Sequence, residues 1–571
     1  MNKQTFFEKY DYILKNCTKP SRYIGGEFLS ANKDFASAEV TMALAFPDKY
    51  EIGISNFGHK ILYKIINDRA NFMADRIYAP EIDYLENFEK SGLPFCTLEA
   101  KVPLVEFDFV GFALQYELSY TTLLKMLELA GIPLLSADRE ENHPIILSGG
   151  PCAYNPLPIS DFIDAFLIGD GEDSTLEIMD LYKEMKSQGA TRAEIIKAIS
   201  DIEGVYVPAH HREVTKRIAR LEYHTAPTKS PIPHFESVHD RATVEIRRGC
   251  SRLCRFCQSA HTNLPIRERK KEDVISLVKD YVKNTGYSEY SLLSLSSNDH
   301  TQIEDIIFEL NDYFKNTDVS VSLPSQRADK FSLRLANLMQ EVRKSAVTIA
   351  PEAGTQRLRD IIKKNLTTEQ ILNATVASVE AGWKKIKYYL MIGLPYETYD
   401  DIAGIAGLFA DVRRTCMERG LKVPQITCSI SIFVPKPFTP FAYAPQNSLE
   451  QIAEKIKFLK EKCASMRNVK LNFHHSKLSQ VEAFLTRGDK RLNNFIYDLY
   501  KSGSYLDSWD ENFDYEKYVE IARNNNLDIE LEATKEFSPE NELPWEFINL
   551  NYDKNYFKNE YQKAKDLADA T

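Results

Sequence analysis

The chain has 571 residues, too many for one hydrophobic core, which predicts about two to four domains. Apolar residues make up 43% and charged residues 27%, a globular balance that excludes a largely disordered or fibrous chain. The net charge is −11, yet residues 501–571 alone hold 17 acidic against 8 basic residues, so the rest is near neutral and a dedicated nucleic-acid binder is not indicated.

Met1–Cys17 lacks the apolar run of an export signal, and no stretch approaches the roughly 18 apolar residues of a spanning helix. Nine cysteines, three clustered and six dispersed, do not form a disulfide framework, so a cytoplasmic protein with reduced thiols is expected. Residues 1–35 predict a helical lead-in with a turn at Gly25 and Gly26. Residues 36–185 alternate between strand signals (Val40–Phe46, Arg76–Ala79, Phe107–Leu114, Pro144–Leu147, Ala165–Ile168) and helix signals (His59–Ala70, Tyr120–Ala130, Ser174–Lys186). Several strands are apolar on both faces, as in a parallel sheet covered by helices, which predicts a flavodoxin-like doubly wound domain.

Residues 186–240 read as a connector with a small strand pair at Gly204–Val207 and Arg220–His224. Residues 241–475 alternate again, with strands at Val244–Ile246, Tyr290–Leu295, Val319–Leu323, Ala346–Ile349, Ile386–Met391 and Cys428–Phe433. Six such βα units predict a partial (β/α)6 barrel with its reactive centre at the strand C-termini. Residues 476–571 complete the α/β chain as an α-rich acidic extension without a recognisable motif.

Directly after the first barrel strand stands Arg247-Arg248-Gly249-Cys250-Ser251-Arg252-Leu253-Cys254-Arg255-Phe256-Cys257, a C-x3-C-x2-C triplet. Three thiolates on one short loop suit three irons of a cubane cluster, leaving the fourth open. A structural zinc with His261 as fourth ligand is the alternative. Gly249 permits the tight turn.

On this triplet the sequence resembles the radical S-adenosylmethionine (SAM) enzymes. The resemblance implies that a [4Fe–4S] cluster on Cys250, Cys254 and Cys257 binds SAM and reduces it to a 5′-deoxyadenosyl radical. Later strand ends match the pattern in order. Ser294–Asp299, with Ser296 and Asn298, falls where the methionyl amine is contacted, although it is not the usual Gly-Gly-Glu. Ser322–Arg327, a segment that includes Ser325, ends in Arg327, a candidate partner for the SAM carboxylate. Ala350–Thr355 supplies Glu352, the loop Ile392–Pro395 supplies Gly393 and Pro395 beside adenine, and Phe433–Pro440 matches F-x-P-x-P-x-T-P.

Residues 36–185 resemble the cobalamin-binding domain found ahead of many such enzymes, through Pro144–Pro151 and Phe166–Glu172. The resemblance implies corrin against Gly149, Gly150, Gly169 and Gly171, with Ser119 and Thr121 near the base of its tail. The D-x-H-x-x-G motif is absent: the equivalent loop reads Ser55-Asn56-Phe57-Gly58-His59, so either cobalamin binds without a histidine ligand or the domain keeps the fold without the cofactor. The leading expectation is a cobalamin-dependent radical methyltransferase of an unidentified substrate, served by a one-electron donor such as flavodoxin or ferredoxin. The alternatives are a radical SAM enzyme without methyl transfer (cyclisation, rearrangement, methylthiolation) and a non-catalytic cobalamin or redox sensor. No catalytic residue is assigned, no membrane partner is expected, and RNA is a partner that the charge does not indicate.

Overall fold

The computed structural model describes residues 3–324, 326–331, 333–340 and 347–571. Ser325 and Ala346, named above, lie outside them. The chain divides into two compact units. The first holds residues 1–240, 488–527 and 543–551, and the second holds 241–487, 528–542 and 552–571.

The first unit is built on β1 (Val40–Phe46), β2 (Phe72–Tyr78), β3 (Phe109–Ala113), β4 (Ile145–Gly149), β5 (Ala165–Leu167) and β6 (Val205–Tyr206), in the order β2-β1-β3-β4-β5-β6. The first five run parallel, and β6 pairs antiparallel with β5. Every residue of β1 and β2 is buried, as helices on both faces require. The helices Phe57–Asn67 and Gly171–Ser187 pack together, with Ile61, Ile65, Ile178 and Met179 in one core. The order 2-1-3-4-5 is the flavodoxin-like winding expected from the sequence. β2 starts four residues earlier than its apolar signal because it carries buried charge. Arg76 pairs with Glu27 and Glu99, and Asp75 accepts the backbone N–H groups of Glu99 and Ala100.

The connector's predicted strand at Arg220–His224 does not form. Tyr223–Thr225 is a 3-10 turn, and Val214–Thr215 (β7) pairs instead with Ile548–Asn549, a partner more than three hundred residues away that leaves no local signature.

The second unit holds β8 (Ala242–Glu245), the short antiparallel pair β9 (Arg247–Arg248) and β10 (Arg267–Glu268), then β11 (Glu289–Leu293), β12 (Ser320–Ser322), β13 (Val347–Glu352), β14 (Lys385–Ile392), β15 (Gln425–Ile432) and β16 (Val469–Phe473). Apart from the β9–β10 pair these strands are parallel, in two sheets ordered β12-β11-β8 and β13-β14-β15-β16. No closed barrel forms among the described residues. β16 is a seventh parallel strand that was not predicted, because its alternation of half-buried Val, Leu and Phe with exposed Lys and Asn is short and buries no residue fully.

The acidic stretch 476–571 is shared between the units. No helix among the described residues is long and apolar enough to cross a membrane.

Candidate functional site

β9 and β10 bracket the cysteine loop and the helix Gln258–Thr262. Gly249 has φ +89°, and a Cβ there would lie 2.7 Å from the Asn263 carbonyl oxygen, so the turn requires glycine. The loop is pinned by its backbone: Arg255 N–H donates to the Ile362 carbonyl (3.0 Å), Cys257 N–H to the Cys254 carbonyl (3.1 Å), and Phe441 N–H to the Arg255 carbonyl (3.1 Å). Cys250 and Cys254 are buried and Cys257 is half-buried. Burial pushes the Cys254 thiol up against the pull of Lys364 and Arg327, and burial with two neighbouring thiols pushes Cys257 up to about 12. Such thiols stay protonated until a metal displaces their protons.

His261 is fully buried, donates from Nε2 to the Cys254 carbonyl (3.2 Å), and packs its ring against Tyr556 and Phe557. No three His, Cys, Asp or Glu side chains among the described residues converge as ligands of one ion. A cubane makes no such demand, since each thiolate takes its own iron. The donor set of buried thiols on a loop with lysine and arginine nearby therefore fits a cluster.

The strand-end loops meet around the triplet. Asn298 and Arg327 exchange two hydrogen bonds: Asn298 Nδ2 to the Arg327 carbonyl (2.8 Å), and Arg327 N–H to Asn298 Oδ1 (2.9 Å). Ser296 donates to Asp299 (2.8 Å). Arg252, inside the cysteine loop, bonds Asp299 through Nε (3.0 Å) and pairs with Asp329 through Nη1 (3.2 Å). The Arg327 guanidinium is engaged by Asp329 (2.9 Å) and by the Lys364 and Asn365 carbonyls (3.1 and 3.3 Å). Ser296, Asn298 and Arg327 thus stitch the ends of β11 and β12 to the cysteine loop.

Glu352 sits at φ +66° and accepts from Lys364 Nζ (3.0 Å). Burial lowers the Lys364 amine, but the charge and hydrogen bond of the Glu352 carboxylate outweigh it and hold the ammonium above its ordinary value. Gly393, at φ +76°, donates its N–H to Glu397 (2.8 Å), which also pairs with Lys455 (2.8 Å); Pro395 stands two residues on. Arg252 belongs to the basic residues that surround the cysteine loop in sequence; Lys364, Glu397 and Asp329 were not singled out, since Glu397 also pairs with Lys455 and Asp329 with Arg252, partners distant in the chain. The one local hint was the arginine-rich composition of the cysteine loop.

In the first unit the glycines divide. Gly150 (φ +107°) and Gly169 (φ +101°) would place a Cβ 2.5 Å from the Leu114 carbonyl oxygen and 2.2 Å from that of Arg217, so the chain's own crossings account for both. A Cβ on Gly149 or Gly171 meets nothing closer than 3.7 Å. Ser119 donates to the Tyr116 carbonyl (2.6 Å) and Thr121 to Asp507 (2.8 Å), so both hydroxyls are committed within the unit. Asn56 caps its helix by accepting from His59 N–H (2.9 Å). His59 is buried against Phe46 and Tyr78, its Nε2 has no hydrogen-bond partner among the described residues, and burial with the Arg76 charge lowers it to about 3.

Residues 244–409 match the family model for the Radical SAM superfamily, and residues 58–208 match that for Radical SAM proteins, N-terminal. An uncharacterized protein of Methanocaldococcus jannaschii is 28% identical over 461 residues, which span 80% of this chain and 90% of that protein. The tRNA-2-methylthio-N(6)-dimethylallyladenosine synthase of Staphylococcus epidermidis is 25% identical over 193 residues, 32% of this chain and 37% of that one. Among solved structures, the radical S-adenosylmethionine methyltransferase TsrM from Kitasatospora setae, with cobalamin and a [4Fe–4S] cluster bound, aligns at TM-score 0.53 and 12% identity over 80% of this chain and 99% of that one. The cobalamin-dependent S-adenosylmethionine radical enzyme OxsB aligns at TM-score 0.51 and 12% identity over 93% of this chain and 80% of that one. At 12% identity these likenesses are of fold.

Proposed function

Because the chain belongs to the radical SAM superfamily, we propose that it is a cobalamin-dependent radical methyltransferase. The observation that carries the radical half is the buried thiol triplet, turned by Gly249 and tied by Arg252 to Asp299 and Asp329. Cys250, Cys254 and Cys257 hold the cluster, which when bound supplies the electron that cleaves SAM. The stitching of Asn298 to Arg327 keeps the cofactor-facing strand ends in one register, and Arg327 and Lys364 bring positive charge toward the SAM carboxylate. Gly393 and Pro395 form the backbone shelf for adenine, held by Glu397.

The methyl-transfer half is supported by the flavodoxin-like order of the first sheet and by likeness of fold to TsrM and OxsB. Cobalamin, when bound, supplies the methyl carrier, with Gly149 and Gly171 giving it room. The match to the methylthio synthases favours methylthiolation as a second reading. A further cluster for that chemistry would draw on Cys17, Cys96 and Cys152. These do not converge on a metal position among the described residues, and the thiols of Cys17 and Cys96 donate to the Leu14 and Pro94 carbonyls.

Anaerobic purification with cobalamin supplied, followed by iron, sulfide and corrin analysis of one sample, tests both halves. The expected result is a brown protein with one four-iron cluster and bound corrin. With SAM and a reductant it should yield 5′-deoxyadenosine and S-adenosylhomocysteine. Cys254→Ala should lose the cluster and SAM cleavage while the first unit stays folded by circular dichroism. A colourless protein holding zinc would overturn the radical reading, and iron without corrin would overturn the methyl-transfer reading alone.

A further inference from the structure

The four-stranded sheet of the second unit has two unlike faces. On one, Ile386, Tyr388, Leu390 and Ile392 of β14 lie beside Ile426, Cys428, Ile430 and Ile432 of β15, all buried. On the other, alternation places Lys385, Lys387 and Tyr389 of β14, Thr427 of β15 and Lys470 of β16. In a closed barrel such inward positions are packed with apolar side chains. Here Lys385 and Lys470 are exposed, and Tyr389 is 39% exposed.

Register brings the cations together. Lys387 pairs with Thr427, and Thr427 with Lys470, so two lysines flank one hydroxyl at strand positions about 10 Å apart. Lys385 stands about 7 Å back along β14. The Lys387 ammonium lies 4.7 Å from the centre of the Tyr389 ring. None of the three lysines has a carboxylate partner among the described residues, and this face of β14, β15 and β16 carries no Asp or Glu. Three cations without a carboxylate partner among the described residues, on one polar face, draw an anion. The face offers no arginine, whose planar fork matches carboxylates; compact ammonium charges beside a hydroxyl suit a tetrahedral phosphate. The exposed Tyr389 ring gives the remainder of such a ligand an apolar surface.

We propose that this face binds the phosphate group of a small phosphate ester. The lysines stand at the N-terminal ends of β14 and β16, at the opposite end of the strands from Gly393, so the ester is a ligand of this face and not the molecule on which the radical acts.

Calorimetric titration of the full chain with inorganic pyrophosphate, and separately with citrate, tests the proposal without reductant. Pyrophosphate is expected to saturate one site, weakening with added salt. Lys387→Met and Lys470→Met should each loosen it roughly tenfold or more, the loss of one charge-assisted contact. Should either variant unfold, Lys385→Gln and Lys470→Gln at exposed positions carry the same comparison. No pyrophosphate binding, or unchanged affinity in the folded variants, overturns the proposal. Citrate binding as tightly through the same lysines overturns the phosphate assignment. A transfer RNA held by those lysines and not displaced by pyrophosphate overturns the small-molecule occupant. No radical step is involved, so failure here leaves SAM cleavage untouched, and failure of cleavage leaves this result standing.

Discussion

Gly249, Gly169 and Gly171 differ in what a methyl group would meet, and that difference separates fold from function. Gly249→Ala sets a Cβ 2.7 Å from the Asn263 carbonyl oxygen at φ +89°, so the cysteine loop cannot turn. Reconstituted protein should then hold little iron and sulfide per chain while its circular dichroism stays near that of the parent. Gly169→Ala strikes the Arg217 backbone at 2.2 Å, and urea unfolding should show a loss of roughly 1–3 kcal/mol or more. Gly171→Ala has its closest contacts at 3.7 Å and begins a helix, so stability should hold or rise by up to about 1 kcal/mol. If corrin lies on that backbone, this last variant copurifies with less of it; full corrin content in Gly171→Ala would remove the glycine from the cofactor's surroundings. The cysteine triplet was legible because its ligands are neighbours in sequence. Lys364, Glu397 and Asp329 were not, because a residue's worth there depends on a partner brought in by folding.

The element that secures the cysteine loop is the helix Tyr556–Asp569. Its Glu560 pairs with Arg255 of the loop (3.2 Å) and with Lys363 (3.0 Å), and all but Lys363 are almost wholly buried. Burial would raise the Glu560 carboxyl, but hydrogen bonds from Lys563 and Lys363 and the charges of Lys363 and Arg255 hold it down at about 2. A depressed carboxyl contributes stability above its ordinary value of 4.5 and loses it as pH falls toward 2. Urea midpoints should therefore be level above pH 5 and fall below about pH 4.5, and Glu560→Gln should flatten that fall. The same substitution strands the Arg255 charge and should cost roughly 3 kcal/mol at neutral pH. An unchanged midpoint in Glu560→Gln would show that the pair does not brace the loop. Nothing in the local pattern of residues 552–571 marks this task; the sequence reads only as an amphipathic helix with acidic and basic residues in balance.

At the scale of the molecule, the chain leaves the second unit after residue 487, returns to the first, and then re-enters both. The alternating strand signals made the parallel sheets of both units legible, since apolar runs of strand length repeat at βα spacing. The interleaving was not, because it is decided by long-range contacts such as Asn493 Nδ2 to the Leu157 carbonyl (2.9 Å) and Leu506 N–H to Thr122 Oγ1 (3.0 Å). Asp507, on the returning segment, is buried and accepts from Thr121 and Tyr518 (both 2.8 Å). Burial lifts its carboxyl to about 6 despite those bonds. A raised carboxyl contributes stability below its ordinary 3.8 and loses it as pH rises through 6. The first unit should thus be less stable at pH 7.5 than at pH 5, by about 1 kcal/mol, and Asp507→Asn should abolish the difference. Equal pH dependence in parent and variant would mean that another group governs it.

The pairing of Arg255 with Glu560 also orders events in time. A nascent chain leaves the ribosome from its N-terminus, so the cysteine loop emerges long before the carboxylate that neutralises its arginine. The same holds for the first sheet and the segment around Asp507 that closes over it. Each unit therefore completes its packing only after the segment that carries Asp507 or Glu560 has emerged.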